Sequence, residues 1–550
     1  MSEESKPVDS QATAEAVKET LAEAQNAAES SHDEDEGEAE PSSGAPTAAK
    51  SKKKKSKKAK LKAALTGSQV SSSSSSEPQL SAGQLQQVLQ ANPALKSELE
   101  TLGGDQKKIE EMMRKLKASD LLTGMAVGGK NQKDMASHTF WKTQPVPKFE
   151  ERAQGGIEEG PIKIIDPKTV PKEPAPLPTG YEWVTMDLTD ENELSEVHEL
   201  LSGHYVEDDE AMFRFRYSAS FFDWALKSPG WRKEWHVGVR TSSSRRLVAF
   251  ISGIPVDLRV RDKVLKCSEI NFLCVHKKLR QKRLTPVLIK EITRRCYVVG
   301  IYQAIYTVGI ILPTPVSTCR YFHRSLDWEK LYDVGFSPLP PGSTKQRQVA
   351  RFALPSETTT HGLRPMAAKD IDSVLDLQNR FLDRMQMAQV YTREEIEHWL
   401  LHKEDSKSER VVWTFVVEDP ESKKISDFFS FYYLPSTVIG SKKHDLVRAA
   451  YLFYYATETA FGDDQKAYKK RLNTLVKDAL ILAKKENFDV FNALTLMDNP
   501  LFLEEQRFGA GDGQLHFYLF NYRANPIPGG VDVRNAADEK SMGGIGVVML

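Results

Sequence analysis

Residues 269–286 read Glu-Ile-Asn-Phe-Leu-Cys-Val-His-Lys-Lys-Leu-Arg-Gln-Lys-Arg-Leu-Thr-Pro, and this stretch says more about the fold than any other. The apolar run from Ile270 to Val275 predicts a strand. A basic loop follows it, and Pro286 stands in the first turn of a predicted helix. A helix N-terminus beside positive side chains attracts phosphate-bearing anions. The stretch therefore predicts an anion site beside a strand whose backbone can meet a reacting carbonyl.

Helices and strands alternate on both sides of this stretch. Before it, residues 236–240 and 247–252 predict adjacent strands joined by a Ser-rich turn. After it come a predicted helix over 286–295 and a strand over 301–308. The second half repeats the order, with amphipathic helices over 371–385 and 467–485 and strands over 411–417, 427–433, 450–455 and 490–494. These elements predict a mixed α/β (α+β) fold.

A weak internal similarity links the two halves. Leu288-Ile-Lys-Glu291 on the first predicted helix resembles Leu475-Val-Lys-Asp478 on the second, and a strand follows each at a similar distance. Four positions leave the question open, so a duplicated α/β lobe and a coincidence both remain possible. In the second helix Leu472, Val476, Ala479 and Leu482 share one face, which predicts the buried side.

Length and composition set the class of protein. A chain of 550 residues can form two or more domains with sizeable cores, and its net charge of −1 says little about partners. The four cysteines have no metal-ligand or Cys-x-x-Cys spacing, which predicts reduced thiols in a cytosolic protein. No secretory pattern is present, and Ser2 excludes an N-terminal acylation start.

One uncharged stretch, from Cys296 to Cys319, is long enough to imitate a membrane span. Gly300, Pro313 and Pro315 interrupt it, and Val, Ile and Tyr dominate its composition. Such a composition favours a buried strand followed by a loop over a transmembrane helix.

The first quarter of the chain differs in composition from the rest. Residues 1–80 are a low-complexity tail that we expect to be disordered, because they hold almost no aromatic or β-branched residues. Residues 81–134 predict a partly helical linker. Within the tail, the segment Lys50 to Lys62 is dense in lysine, so it is either a tether to ribosomal RNA, a nuclear localisation signal or a solvated charge block. It lacks the aromatic residues that base recognition requires.

The basic segment resembles a known phosphate-binding loop. Acetyltransferases of the GNAT fold bind the pyrophosphate of coenzyme A with the pattern [Q/R]-x-x-G-x-[G/A] before a helix. Here Arg280-Gln-Lys-Arg-Leu-Thr285 stands in that place, with Arg283 and Thr285 at the two small positions. Backbone N–H groups at the helix start would still face a phosphate. For a basic cluster taken alone, a solvated basic turn is the favoured interpretation.

Two longer motifs resemble the signatures of the N-myristoyltransferase family. Glu269-Ile-Asn-Phe-Leu-Cys-Val-His-Lys277 matches the first, and Arg507-Phe-Gly-Ala-Gly-Asp-Gly513 matches the second with Arg507 where lysine is usual. Other landmarks follow in the family's order, and the resemblance covers residues 135–550. These landmarks are Phe140-Trp-Lys-Thr-Gln-Pro145, Tyr205-Val-Glu-Asp208, Phe213-Arg-Phe-Arg-Tyr217 and Gly546-Val-Val-Met-Leu550.

The resemblance implies a fold and an activity. It implies two acetyltransferase-like (GNAT-like) lobes related by a pseudo-two-fold axis, an N-terminal acyl-CoA lobe over 135–325 and a C-terminal peptide lobe over 326–550. The implied reaction moves myristate from myristoyl-CoA, a co-substrate, to the N-terminal glycine amine of peptides and nascent proteins. It needs no prosthetic group and no metal. We expect a cytoplasmic monomer, with ribosome association through Lys50 to Lys62.

The family's functional residues can be carried over position by position. Phe272 and Leu273 would offer backbone N–H groups to the thioester oxygen, and the terminal carboxylate of Leu550 would be the general base. An apolar C-terminus carries its carboxylate inward, which raises the pKa of the acid; a frayed terminus is the plain alternative. The implied cofactor contacts are His138, Thr139, Phe140, Trp141, Phe272, Leu273, Cys274, Val275, Arg280, Gln281, Lys282, Arg283, Leu284, Thr285 and Pro286. The implied peptide contacts are Val206, Glu207, Asp208, Phe213, Phe215, Tyr217, Thr307, Tyr321, His323, Ser430, Tyr455, Asn492, Leu494 and Asp512.

Two alternatives compete with this interpretation. An acetyl-CoA-dependent N-acyltransferase of the GNAT type would use the same fold with a shallower pocket. A non-catalytic acyl-CoA-binding protein would keep the pocket and lose the base. Pocket depth would distinguish the acetyl-CoA-dependent enzyme from a long-chain acyltransferase, and the sequence does not show this depth.

Overall fold

The strand at the centre of the quoted stretch extends further toward the N-terminus than the sequence indicated. In a computed structural model, which describes residues 138–149, 151, 157–207, 212–402 and 409–550, it runs from Lys263 to Val275. The described residues all belong to one compact unit, Ser97–Leu550. The tail over 1–80, the linker over 81–134 and Asp208 lie outside the described residues.

The strands and helices are numbered in chain order. The strands are β1 Tyr181–Thr185, β2 Phe213–Phe215, β3 His236–Thr241, β4 Leu247–Val260, β5 Lys263–Val275, β6 Gln303–Val308, β7 Ser317–Ser325, β8 Leu363–Pro365, β9 Met387–Gln389, β10 Val412–Glu418, β11 Ile425–Tyr433, β12 Ser436–Val438, β13 Leu446–Val447, β14 Ala449–Thr457, β15 Val490–Leu494, β16 Gly509–Phe520 and β17 Ile545–Gly546. The helices are α1 Thr139–Lys142, α2 Glu191–His204, α3 Ala219–Leu226, α4 Leu284–Val298, α5 Trp328–Asp333, α6 Lys345–Arg351, α7 Ile371–Leu382, α8 Arg393–Leu400, α9 Gln465–Lys485 and α10 Pro500–Leu503.

One 14-stranded mixed sheet forms the centre of the described structure. Its main path runs β1-β3-β4-β5-β6-β16-β7-β15-β14-β11-β10-β8, while β9 pairs with β4 and β17 pairs with β9. A small second sheet joins β13, β12 and β2. The predicted hairpin of β3 and β4 is confirmed as an antiparallel pair. The α/β class is therefore confirmed, with both halves of the chain in the same sheet.

The sheet order reveals the duplication that the weak sequence similarity left open. Each half holds a parallel crossover, β5-α4-β6 and β14-α9-β15. Reading inward from either edge gives corresponding strands, β1, β3, β4, β5, β6 against β8, β10, β11, β14, β15. The next strand of each half is exchanged, since β16 lies beside β6 and β7 beside β15. The two halves are thus related by a pseudo-two-fold axis and joined by swapped strands.

Several element boundaries differ from the sequence expectation. The basic segment expected as an open loop is a 3-10 helix, Lys277–Lys282, and the following helix α4 begins earlier, at Leu284. Only Ile545–Gly546 of the apolar C-terminus pairs as a strand. In α9, the predicted face is confirmed, because Leu472, Val476 and Ala479 are buried.

The uncharged stretch after Cys296 resolves into the end of α4, strand β6, a loop and the start of β7. No helix in the described part of the chain is long and apolar enough to cross a membrane. The four cysteines are buried and form no disulfide bond, in agreement with the prediction of reduced thiols. They are Cys267, Cys274, Cys296 and Cys319.

Candidate active site

A cavity opens where β5 and β6 separate. The two parallel strands pair only over Cys267–Glu269 and Gln303–Ile305, although both continue further. Beyond the last pair, residues 270–273 and 306–308 turn toward a cavity of about 880 Å³. This volume lies near the upper end of the usual range for small-molecule sites.

Many of the residues expected from the resemblance meet in this cavity, although they come from distant segments. Helix α4 contributes its first turn, and β6, β7, β15 and the C-terminus contribute the far wall. The expected residues that line the cavity are Phe140, Trp141, Val206, Glu207, Phe213, Phe215, Tyr217, Phe272, Leu273, Thr285, Pro286, Thr307, Tyr321, His323, Asn492 and Leu550.

A β-bulge shapes the edge of the cavity. The register of β5 against β4 shifts between Asn271 and Cys274, so Phe272 and Leu273 stand opposite the single residue Ile251. Phe272 has φ +55°, a left-handed conformation that costs free energy in a residue other than glycine. A bulge of this kind removes backbone groups from the regular ladder and re-aims them. The strain is thus located at Phe272, one of the two residues expected to polarise the thioester.

Packing of the Phe272 side chain holds this strained backbone in place. The ring is 1% exposed, and its centroid lies 5.5 Å from that of Tyr217 and 5.4 Å from that of Phe222, both edge-on. Tyr205 packs on the same ring at 5.9 Å. Aromatic pairs at these distances are favourable beyond their buried area, which offsets the backbone strain.

Asn271 connects the bulge to the C-terminus. Its side-chain Nδ2 donates to an oxygen of Leu550 at 2.6 Å, and its Oδ1 accepts the backbone N–H of Phe272 at 2.9 Å. One amide side chain therefore orients both the terminal carboxylate and the bulged strand. Asn271 stands in the first motif, yet the sequence analysis did not select it.

The C-terminal arm, which we define as residues 545–550, enters the core. Val547, Val548 and Met549 are at most 8% exposed, and Leu550 is half-buried at the cavity wall. The backbone N–H of Val548 donates to the Tyr454 hydroxyl at 2.9 Å. The terminus is therefore anchored and is not a frayed end.

Close approach of the arm to α7 requires glycine at position 546. A Cβ atom there would lie 2.8 Å from Met385 Cγ and 3.0 Å from Leu382 Cδ2. We expect Gly546→Ala to displace the arm, which would lower kcat on the order of tenfold to a hundredfold and destabilise the fold by about 1–3 kcal/mol. Steady-state kinetics and urea unfolding measure the two effects. Gly160→Ala, at a glycine with open space around it, is the control, and an unchanged kcat in Gly546→Ala would contradict the expectation.

Glu207, one of the expected peptide contacts, is already paired with two cations of the protein. Its carboxylate accepts from Lys277 Nζ at 2.6 Å and from Arg214 Nη2 at 2.7 Å. These bonds, that of Lys277 first, lower the pKa of Glu207. The side chain is therefore ionised, and a basic peptide would have to compete with two cations of the protein.

His323 lies on the far wall of the cavity. Its Nδ1 forms a hydrogen bond of 2.7 Å with Asn492 Oδ1, and burial lowers the pKa of the ring. Gly511 approaches so closely that a Cβ atom would lie 2.4 Å from the ring Nε2. The charge of the neighbouring Asp512 acts on the same ring and partly offsets the effect of burial on its pKa. A neutral imidazole at this place can accept or donate a hydrogen bond.

The cationic residues of the basic 3-10 helix face other partners. Arg280 Nη2 donates to the carbonyl of His204 at 2.6 Å. Arg283 has φ +60° and forms the N-cap of α4, so the backbone N–H groups that follow it point out of the helix start. Thr285 and Pro286 of this turn reach the cavity.

Several expected residues lie outside the cavity lining. Tyr455 is 1% exposed, and its hydroxyl donates to Asn499 Oδ1 at 2.8 Å; the Ser430 hydroxyl donates to the carbonyl of Tyr454 at 2.8 Å. Both therefore stabilise the core in this structure. The expected residues outside the lining are His138, Thr139, Cys274, Val275, Arg280, Gln281, Lys282, Arg283, Leu284, Ser430, Tyr455, Leu494 and Asp512.

Sequence reasoning missed a group of hydroxyl-bearing rings in the cavity. Burial raises the pKa of Tyr205, Tyr432 and Tyr451, so these hydroxyls are neutral hydrogen-bonding groups. Tyr306 stacks against Trp141 with centroids 5.7 Å apart. Tyr306, Tyr432 and Tyr451 come from three separate strands and Tyr205 follows α2, so the four share no motif. Of these tyrosines, only Tyr205 stands in one of the family landmarks, next to Val206.

Glu269 is a buried carboxyl in the first motif, outside the cavity lining. Burial raises the pKa of Glu269 from 4.5 to about 7. Over that interval the native state keeps a proton that the unfolded state has lost, so stability falls as pH rises. We expect Glu269→Gln to remove this pH dependence. The free energy of unfolding of the variant minus that of the wild type should therefore be about 2 kcal/mol more positive at about pH 8 than at about pH 5.5.

Urea unfolding at the two pH values measures this difference for Glu269. Glu394→Gln, at an exposed position of α8, is the matched control. A gain for Glu269→Gln that is the same at both pH values would show that the carboxyl does not titrate in this interval.

Comparison with known proteins agrees with the site. Two family models match the chain, the N-terminal domain of myristoyl-CoA:protein N-myristoyltransferase over residues 161–319 and its C-terminal domain over 333–548. The glycylpeptide N-tetradecanoyltransferase of Aspergillus fumigatus is 65% identical over 463 residues, which are 84% of this chain and 93% of that protein. That of Saccharomyces cerevisiae is 49% identical over 453 residues, 81% of this chain and 98% of that protein.

A solved structure shows the same fold. The Saccharomyces cerevisiae N-myristoyltransferase with bound myristoyl-CoA superposes with a TM-score of 0.72 at 50% identity, over 75% of this chain and 95% of that chain. Fold, site and relatives define the class of the protein as an acyltransferase. The chain belongs to the myristoyl-CoA:protein N-myristoyltransferase family.

Proposed function

We propose that this chain transfers a myristoyl group from myristoyl-CoA to the N-terminal glycine amine of a protein, with its own terminal carboxylate as the general base. The observation that carries the mechanism is the bridge of Asn271 between Leu550 and the bulge at Phe272. The bridge holds the two groups that act on the amine and on the thioester in one rigid unit.

The base has a specific task. An N-terminal ammonium has a pKa of about 7.7–8.0, so near neutral pH most of the amine carries a proton that must be removed before attack. The Leu550 carboxylate at the cavity wall accepts this proton. The free amine then attacks the thioester carbon. As the tetrahedral intermediate collapses, the C–S bond breaks, the nitrogen gives up its second proton and the departing coenzyme A thiolate takes up a proton, which yields the amide and the free thiol.

The oxyanion of that intermediate needs donors. We infer that the backbone N–H groups of Phe272 and Leu273 are these donors, because both residues stand in the bulge and line the cavity where β5 and β6 diverge. In this structure the Phe272 N–H is held by Asn271 Oδ1, so it would be shared with or released to the substrate oxygen. One such donor is worth roughly 3 kcal/mol of transition-state stabilisation.

The remaining parts of the cavity suit the two substrates. Apolar residues of α4 and its neighbours, including Ile289, Ile292 and Cys296, would surround the acyl chain. Thr285 and Pro286 place the start of α4 toward the phosphates, with Arg280, Lys282 and Arg283 as nearby cations. On the opposite side, Phe213, Phe215, Tyr217 and Asn492 would form the groove for the peptide.

A competition assay tests the function. Acetyl-CoA, octanoyl-CoA and myristoyl-CoA are supplied with peptides that begin with glycine or alanine. We expect a strong preference for myristoyl-CoA, because a cavity of about 880 Å³ leaves a short acyl group without contacts, and we expect no acylation of the alanine peptide. Equal use of acetyl-CoA would favour the GNAT-type alternative, and binding without turnover would favour the non-catalytic one.

Further properties belong to the same proposal. We propose an acyl-CoA lobe over 135–325, a peptide lobe over 326–550, a monomer, and work in the cytoplasm at ribosomes through the lysines of Lys50 to Lys62. The charge of that segment supports the ribosome contact. Deleting residues 1–80 should reduce cosedimentation with ribosomes and leave peptide acylation intact. Unchanged cosedimentation would show that the tail does not mediate ribosome binding.

A further inference from the structure

A second cleft lies on α9, apart from the active-site cavity. It measures about 410 Å³ and shares no residue with that cavity. We call it the basic cleft. Its lining residues are Thr359, Lys466, Lys469, Lys470, Asn473, Thr474, Lys477, Glu505 and Gln506.

The positive charge of the basic cleft is largely uncompensated. Lys469 pairs with Glu505 at 3.3 Å and with Glu539 at 2.8 Å. Lys466, Lys470 and Lys477 form no ion pair with any residue that the structure describes. Three of the four lysines thus have no ion-pair partner in the described part of the chain.

Helix geometry arranges these three lysines in a row. The separations of four and seven residues place them on one face of α9, opposite the buried face of Leu472 and Val476. From Lys466 to Lys477 the row is about 16 Å long. That length fits a chain of phosphates better than a single anion.

A cluster of arginines continues the positive surface. The Arg324 Nε donates to the carbonyl of Gln506, a residue of the basic cleft, at 2.7 Å. Burial, together with the positive charges of Arg507 and Arg351, lowers the pKa of Arg324 to about 10. Arg351 and Arg507 are exposed and form no ion pair with an acid in the described ranges. An anion that binds beside these arginines would reduce the repulsion between their positive charges, so the cluster favours an anionic ligand.

We propose that the basic cleft, with Arg351 and Arg507, binds the phosphate backbone of single-stranded RNA. Every side chain that lines the cleft is polar, so it offers nothing for insertion into a bilayer, whereas membrane-surface helices pair a basic face with an apolar one. No aromatic ring lines it for base stacking, so binding should rest on phosphate contacts and depend steeply on salt. The proposal goes beyond acyl transfer and does not depend on it.

Lysine footprinting on the full chain tests the proposal. Acetylation of surface lysines is followed by mass spectrometry with and without a 12-nucleotide single-stranded RNA, an anionic phospholipid vesicle or a polyglutamate peptide. We expect RNA to protect Lys466, Lys470 and Lys477 severalfold. Absence of protection by RNA, or stronger protection by vesicles or polyglutamate, would overturn the proposal.

Binding measurements give a second readout. In the variant Lys466→Ala/Lys470→Ala/Lys477→Ala, the slope of log K against log salt should be shallower by about 2, because each lost phosphate contact removes about 0.7 for a single strand. The control Lys168→Ala/Lys424→Ala/Lys442→Ala removes the same charge from exposed sites elsewhere. Equal slopes in the two variants would contradict the proposal. Both variants keep the tail, and both should retain normal peptide acylation.

Discussion

Adding one glycine after Leu550 is expected to reduce kcat by about 10²–10⁴, the usual contribution of a general base. The extension keeps the leucine side chain and converts its carboxylate into a neutral peptide group. The new carboxylate would lie about 3.5 Å further along the chain. Because the arm ends at the cavity wall, bonded to Asn271, no other group takes over this position in the described structure.

The same variant should bind myristoyl-CoA almost as well as the wild type. The proposed acyl and phosphate contacts lie on α4 and β5, so we expect the Kd to change less than about threefold, within 1 kcal/mol. Single-turnover kinetics and equilibrium binding separate the two effects. Leu550→Ala, which shortens the side chain and retains the carboxylate, is the matched control. If the extended protein turned over at the wild-type rate, the carboxylate would have no part in the mechanism.

Replacing the Leu273 backbone N–H by an ester oxygen should lower kcat by about 10²–10³, as loss of one oxyanion donor does in other enzymes. The change is made by incorporating the α-hydroxy analogue of leucine at position 273. It leaves every side chain in place, so it tests the backbone alone. KM for the peptide should change little, because the donor acts mainly when charge develops on the thioester oxygen.

The same α-hydroxy acid at Leu265 provides the control for Leu273. Leu265 lies in β5 as well, paired with Leu258 in the regular ladder and away from the cavity. This control measures how much an ester bond in β5 lowers the stability of the protein. If both esters reduced kcat equally, the bulge would have a structural role and no part in stabilising the oxyanion.

Much of the local structure could be predicted because its signals are local. The strand from Ile270, the helix after it and the buried face of α9 follow from alternation and from helical spacing in neighbouring residues. The 3-10 helix at Lys277–Lys282 was not predicted, because a run of cations has no periodic apolar signal. The C-terminal arm pairs as a strand only at Ile545–Gly546, and its remaining apolar residues pack among core side chains.

The site could be predicted only where a motif carried it. Phe272 and Leu550 were found through the family's motifs, whereas Asn271 stood in the same motif and was missed. Its role depends on a partner 279 residues away in the chain. No sequence pattern indicated that Tyr432 and Tyr451 line the cavity. A tyrosine in a strand predicts a core position, whether its ring faces a cavity or a neighbouring ring.

The sequence by itself determined the main periodic strands and helices, the family and the presence of a buried C-terminus, because apolar periodicity and short motifs act between near neighbours. Only the tertiary structure decided how the two halves exchange β7 and β16, where β5 and β6 part to open the cavity, and which amide holds the terminal carboxylate. Those outcomes depend on contacts between residues hundreds of positions apart. Their free energies come from burial and pairing across the whole sheet, which no local window contains.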